Sequence, residues 1–242
     1  MLKALFLDLD ETLCDTTGAN RKAVAIMADK VAELFPGQID PQDVAERYLK
    51  GIYRELDERY RSLLLPVTNE EAFRLALIEL ILRDLGLENF PPETAGILQS
   101  TFDNARTACF DFFPGIKDLL LELRHRFTLV VITNGPEFSQ VVKVETVELH
   151  KYVDHIIIGG REPAQKPAVS IFEKALRLCG CDRHEVIHIG DSLSADIAGA
   201  NNTGIDSVWI SHSEDLDPSL GIEPTHIIEN PFQLRDLLMQ LS

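Results

Sequence analysis

Cysteine is scarce. The four thiols at positions 14, 109, 179 and 181 form no CxxC pair, and without clustered thiols neither a structural zinc site nor a disulfide scaffold is expected. Positive charge is short as well: Arg and Lys total 23 against 39 Asp and Glu, a formal charge of -16. Such a surface repels nucleic acid and anionic membranes at long range. No run approaches the roughly 18 apolar residues a membrane-spanning helix requires, and no basic-then-apolar leader pattern stands ahead of the first strand. Repeats and low-complexity tracts are missing too. The expectation is a cytoplasmic globular protein whose partner is a small molecule, with neither nucleic acid nor membrane bound; a monomer and a homodimer both fit. An anionic small molecule would meet the same repulsion, so a phosphate-bearing substrate demands local positive charge at its site.

What is present is a full core. Hydrophobic residues make up 45% of 242, enough for one α/β domain or for a core with a smaller insert. Strand-like runs occur at 4–9, 128–134, 154–160, 185–191, 205–210 and 225–230, and their near-continuous apolar, β-branched character marks strands covered on both faces. Helical patterns at 114–125, 137–150, 167–179, 192–201 and 231–241 alternate with them, and Pro114, Pro167 and Pro231 sit where a first helical turn tolerates a missing N–H. The alternation predicts an α/β fold, a doubly wound Rossmann-like parallel sheet. Residues 16–100 break it, with helical periodicity at 17–35, 41–61 and 69–85 and no convincing strand. The expected domains are therefore 1–15 with 101–242 as the α/β core and 16–100 as an inserted all-helical cap, above the carboxyl ends of the strands where open α/β sheets bind ligands.

Polar residues gather at those strand ends. The first strand delivers Asp8 and Asp10, the second Thr133, Asn134 and Gly135, and the fourth Gly190, Asp191 and Ser192 followed by Asp196; Lys166 lies between the third and fourth. Any one of these motifs is ordinary turn or capping chemistry by itself, but their convergence on one edge suggests phosphoryl transfer. An aspartate is a competent nucleophile toward phosphorus. A second carboxylate can protonate the leaving oxygen and later accept a proton from water. Asp8 and Asp10 point to opposite faces if the strand runs through both, whereas a bend after Asp8 lets both address one pocket. Carboxylates around a phosphoryl group need compensation. Magnesium supplies part of it, with Asp8, Asp191 and a backbone carbonyl as ligands and Asp10 placed beside them in the metal set; Lys166 supplies the rest as a point charge. Thr133 with the N–H groups around Asn134 and Gly135 forms a nest for phosphoryl oxygens. Ser192 and Asp196 fall behind the metal ligands, Asp196 as an anchor for metal-bound water. His188 reads as packing beneath the site and Trp209 as core or rim.

The stretches DLDETL (8–13), TNG (133–135), KP (166–167) and GDSLSAD (190–196) resemble, in order and with familiar gaps, the four motifs of the haloacid dehalogenase-like hydrolases. The resemblance implies Asp8 as nucleophile, Asp10 as general acid and base, Thr133 and Lys166 as phosphoryl binders, and Asp191 as the principal magnesium ligand after Asp8. It also implies that the insert is a helical cap of the first type. Asp10 resembles the phosphatase branch, since the dehalogenases lack that acid, and the motif neighbourhoods look most like N-acylneuraminate-9-phosphatases and pyrimidine nucleotidases. Uncharged Pro163, Ala164 and Gln165 depart from those relatives, where acidic residues often precede the lysine. The function implied is a magnesium-dependent phosphatase of a sugar phosphate or nucleoside monophosphate; alternatives are a phosphomutase or phosphotransferase of the same fold, a dehalogenase, or a non-catalytic binding protein. Basic residues of the insert, Arg21 and Arg54 among them, are the candidates for substrate selection.

Overall fold

The structure, a computed structural model, describes residues 1–64 and 69–241, with the side chains of residues 59 and 63 also outside the description. In chain order the elements are β1 (Ala4–Leu7), α1 (Thr16–Leu34), α2 (Pro41–Ile52), α3 (Glu58–Leu64), α4 (Glu70–Asp84), α5 (Thr94–Cys109) and α6 (Ile116–Leu123). They continue with β2 (Thr128–Thr133), α7 (Glu137–Thr146), β3 (His155–Ile158), α8 (Val169–Cys179), β4 (Val186–Gly190), α9 (Ala198–Thr203), β5 (Asp206–Ile210), β6 (His226–Ile228) and α10 (Leu234–Gln240). The chain divides into two compact units, Met1–Thr16 with Phe110–Ser242, and Thr17–Cys109.

The first unit carries a six-stranded sheet in the order β3-β2-β1-β4-β5-β6, with every neighbouring pair parallel. All four residues of β1 are buried, as a central strand covered on both faces requires. Phe6, Val130, Ile132 and Val186 from the strands pack with Ile171 and Phe172 of α8 in one apolar cluster. Strand order reverses between β1 and β4, so the crevice at their carboxyl ends is the topological switch point where doubly wound sheets bind ligands. β1 stops at Leu7; after Asp8 the chain turns, with Leu13 N and Cys14 N both donating to Leu9 O. Of the two sequence alternatives the bend is the one adopted. Helix α6 begins at Ile116 behind Gly115, whose φ of 80° is open to glycine at little cost, so Pro114 precedes the helix and does not sit in its first turn.

The helical unit is held by its own core, with Met27 and Val31 of α1, Tyr48 of α2, Phe73 and Leu77 of α4, and Leu98 and Phe102 of α5 all buried. Tyr48 and Phe102 meet edge to face at 5.1 Å. Capping fixes the starts of two helices: the Asp40 side chain accepts from Gln42 N with Pro41 at the first position, and Asn69 accepts from Ala72 N. Two sequence expectations are corrected here. The stretch 41–61 is two helices rather than one, broken around Tyr53 and Arg54, the latter at a φ of 64°. The unit ends at Cys109 rather than 100, because α5 continues its buried stripe of Leu98, Phe102 and Ala105 beyond that point.

Candidate active site

The ends of β1, β2 and β4 and the segment before α8 enclose a cavity of about 240 Å3. Of the strand-end residues expected from sequence, all but Gly135 and Gly190 line it. At its floor Lys166, 5% exposed, donates from Nζ to Asp8 Oδ1 at 2.5 Å and to Asp196 Oδ1 at 2.7 Å. Burial alone would discharge this lysine; Asp196 and Asp8 hold it protonated, above its ordinary pKa. Asp196 is itself fully engaged, since Oδ1 also takes a bond from His188 Nε2 at 2.8 Å and Oδ2 accepts from Ser192 N at 3.1 Å. Burial opposes its ionisation too, but Lys166 and His188 outweigh it and hold Asp196 at about 2.

Asp8 and Asp191 are less well matched. Burial drives both up, to about 7 for Asp8 and about 8 for Asp191; the charge of Asp196 adds to both, with Asp10 adding to Asp8 and Asp8 to Asp191, while Lys166 opposes the rise. Asp8, Asp191 and Asp196 place carboxylate oxygens within 4.8 Å of one another. Asp196 is the most heavily bonded of the three, with three hydrogen bonds accepted, so Asp8 and Asp191 have more lone pairs to give, and an oxygen-only donor set of this kind fits a hard divalent cation such as magnesium. The Asp10 side chain stands apart from that cluster. Lys143 Nζ bonds its oxygens at 2.6 and 2.8 Å, Gln140 Nε2 donates at 3.2 Å, and the Thr16 hydroxyl donates to Oδ1. Burial works against the charge, yet Lys143, Thr16 and Gln140 together lower the Asp10 pKa. The carboxylate of Asp10 is thus taken up by Lys143, Gln140 and Thr16 and lies outside the group of carboxylates that could share an ion, while its backbone carbonyl stays beside that group in the chain.

The TNG turn also differs in part from expectation. The Asn134 side chain has a structural part beside the expected role of its backbone N–H: Nδ2 donates to Lys166 O and Oδ1 accepts from Lys166 N, both at 2.9 Å, a reciprocal tie that fixes the lysine segment to the end of β2. The N–H of Gly135 is taken by Gln165 Oε1 at 2.7 Å. Gln165 thus has a structural task, accepting the hydrogen bond that holds the turn at Gly135. Thr133 Oγ1 reaches Gln140 Oε1 at 3.3 Å. Ser192 caps the π-helical turn Leu193–Ile197 by accepting from Ala195 N. Gly190 is required by close approach, because a Cβ there would lie 2.2 Å from the Asp196 carboxyl carbon.

Several supporting residues carry no motif of their own. Trp209 is buried in β5 and donates from Nε1 to Asp191 O at 2.7 Å, propping the loop that holds a candidate ligand. His188 packs edge to face on Phe172 at 5.0 Å and donates to Asp196, and its buried Nδ1 has no hydrogen-bond partner among the described residues. Burial lowers the pKa of this imidazole. Lys143 and Gln140 went unnoticed in the sequence; their signal is two polar residues three apart on the buried side of α7. In the helical unit Arg21 is exposed on α1, while Arg54 bonds Glu70 at 2.6 Å and stacks 3.6 Å over the Phe73 ring. The charge of Arg54 is thus committed to its own unit.

Residues 2–204 match the family model of the haloacid dehalogenase-like hydrolases, and the chain belongs to that family. N-acylneuraminate-9-phosphatase of Rattus norvegicus is 26% identical over all of this chain and 95% of its own length. Glyceraldehyde 3-phosphate phosphatase of Pyrococcus abyssi is 30% identical over 88% of this chain and 83% of its own. Among solved structures, the HAD hydrolase YfnB of Bacillus subtilis, determined with magnesium bound, superposes with a TM-score of 0.70 at 22% identity over 98% of both chains. Among the described residues no helix is long and apolar enough to cross a membrane.

Proposed function

We propose that this chain is a magnesium-dependent phosphatase that hydrolyses small phosphomonoesters through an aspartyl-phosphate on Asp8. The observation that carries the reading is Asp8 bonded to a buried, protonated Lys166 in a cavity that also holds Asp10, Asp191 and Thr133. An oxygen of Asp8 attacks phosphorus and the bond to the leaving oxygen breaks, Asp10 giving that oxygen its proton. Water then attacks the phosphorus, Asp10 takes its proton, and the bond to Asp8 breaks to release inorganic phosphate. Lys166 offsets charge on the nucleophile and the phosphoryl oxygens throughout, and Asp196 with His188 keeps its ammonium in place. Thr133 and the Asn134 N–H bind phosphoryl oxygens. Asp8, Asp191 and the Asp10 carbonyl would hold magnesium, which would offset charge on the phosphoryl group.

The relatives are by name phosphatases of small phosphate esters, and the residues lining the cavity are mainly those assigned here to the phosphoryl group and the metal. Choice of leaving group is accordingly assigned to the helical unit, Thr17–Cys109. With magnesium, purified protein is expected to release phosphate from a panel of sugar phosphates and nucleoside monophosphates, ranked by kcat/KM. Turnover that depends strictly on a sugar bisphosphate would instead identify a mutase, and silence across the panel would overturn the hydrolytic reading.

A further inference from the structure

Asp10 must serve as acid in one step and base in the next, so its carboxylate has to hold one position through both. The bonds around it show what does so. Lys143 Nζ straddles both oxygens at 2.6 and 2.8 Å, and Gln140 Nε2 adds a bond to Oδ2 at 3.2 Å. Lys143 and Gln140 stand three apart on α7, on one face of the helix. Both are more than nine-tenths buried, at 7% and 4% exposure. Gln140 also accepts from Thr133 Oγ1 at 3.3 Å and lies so close to the TNG turn that a Cβ on Gly135 would meet its Nε2 at 2.6 Å. One helical face thus touches the proton-transfer residue and the phosphoryl-binding strand end together.

A buried ion pair is poor value as a stabiliser, because apolar residues of similar volume usually do as well or better. Its use lies in fixing geometry, and proton transfer is sensitive to geometry. We propose that Lys143, with Gln140 beside it, is a positioning residue that aims Asp10 at the leaving oxygen and sets it in register with Thr133. This rests on the phosphatase reading, with Asp10 as its acid and base. Neither residue touches substrate in this account; each acts through Asp10.

The test is the leaving-group dependence of kcat/KM, which reports phosphoryl transfer to Asp8. Lys143→Met is expected to lower kcat/KM for an alkyl phosphate, whose alkoxide must be protonated as it departs, by about 10^2-fold. For p-nitrophenyl phosphate, whose leaving group departs unprotonated, the loss is expected to stay below about tenfold. Lys143→Arg should recover most of the alkyl-ester activity, and Gln140→Leu should reproduce the pattern more weakly. In an Asp10→Asn background Lys143→Met should add no further loss. Equal losses on the two esters, or losses that multiply with Asp10→Asn, would overturn the proposal; a merely structural lysine gives that result. If Lys143→Met does not fold, Lys143→Arg and Gln140→Leu carry the same comparison. Should the wild type cleave neither ester, the phosphatase reading fails separately, and crystal structures of the variants still decide the clamp: an Asp10 side chain unmoved without Lys143 refutes it.

Discussion

The two units handle clustered charge in opposite ways. In the helical unit Arg74 bonds Glu70 at 2.9 Å and Asp103 at 3.0 Å, and Arg54 shares Glu70 at 2.6 Å. Arg47 likewise bridges Asp43 at 2.8 Å and Asp84 at 3.0 Å. Each carboxylate there has a guanidinium of fixed, forked geometry beside it. At the strand ends of the α/β unit, one lysine serves Asp8 and Asp196 while Asp191 crowds against them. Matched charge marks architecture, and a surplus of one sign marks a place where a further charge of the other sign belongs.

The comparison is broken most severely at Asp8. Asp8→Asn keeps the shape and the contact with Lys166 but removes the nucleophile, and turnover is expected to fall by about 10^4-fold or more, as loss of a catalytic nucleophile typically does. Measured against an unchanged melting temperature, retained activity would disprove the role assigned to this carboxylate.

A second prediction sharpens the surplus itself. Burial, above all, raises Asp8 to about 7 and Asp191 to about 8, well above the ordinary aspartate value. Between the unfolded and folded values the native protein binds more protons than the unfolded chain, so stability without metal should fall as pH rises from about 4 to about 8. Magnesium competes with those protons for the same oxygens. The rise in melting temperature on adding magnesium is therefore expected to be larger near pH 8 than near about pH 5.5. An equal or reversed difference, followed by thermal melts with and without a chelator, would mean that the carboxylates at the strand ends are not the metal site.

How much of this was legible in the sequence follows from what each residue's role depends on. The central strands β1, β2, β4 and β5 could be placed because a strand buried on both faces must be nearly all apolar, and the charged residues that end such runs stand out, as Asp8 does after Leu7. Lys166 alone reads as a surface lysine, and it is legible only in company with the other strand-end motifs, as the KP that completes the family resemblance. Lys143 was hidden because a lysine on a helix is normally a solvated one, and only the rotation of α7 against the sheet shows that it faces inward. Gln165 and Trp209 act through single bonds to backbone atoms, which leave no residue-type requirement that a pattern could register. Helix α5 was missed since Gly96, Ser100, Thr101 and Thr107 dilute its helical signal, and it is tertiary burial of Leu98 and Phe102 that holds it.

The matched network of the helical unit should answer to mutation in stability alone, and in proportion to burial. Arg74, with a side chain 10% exposed, holds two carboxylates; Arg74→Met leaves Glu70 and Asp103 without that partner and is expected to cost about 1–3 kcal/mol in denaturant unfolding. Arg54 touches the same Glu70, yet its side chain is 43% exposed, so water and salt screen the pair. What remains is the stacking of its guanidinium on Phe73 at 3.6 Å, a contact that solvent weakens less. Arg54→Lys keeps the charge but loses the planar face, and Arg54→Ala loses both. If stacking dominates, the two variants should cost nearly the same, each below about 1 kcal/mol, with little change between low and high salt. A cost confined to Arg54→Ala that disappears in high salt would assign the contact to its ion pair instead, and would place Arg54 with the screened surface charges rather than with the network around Arg74.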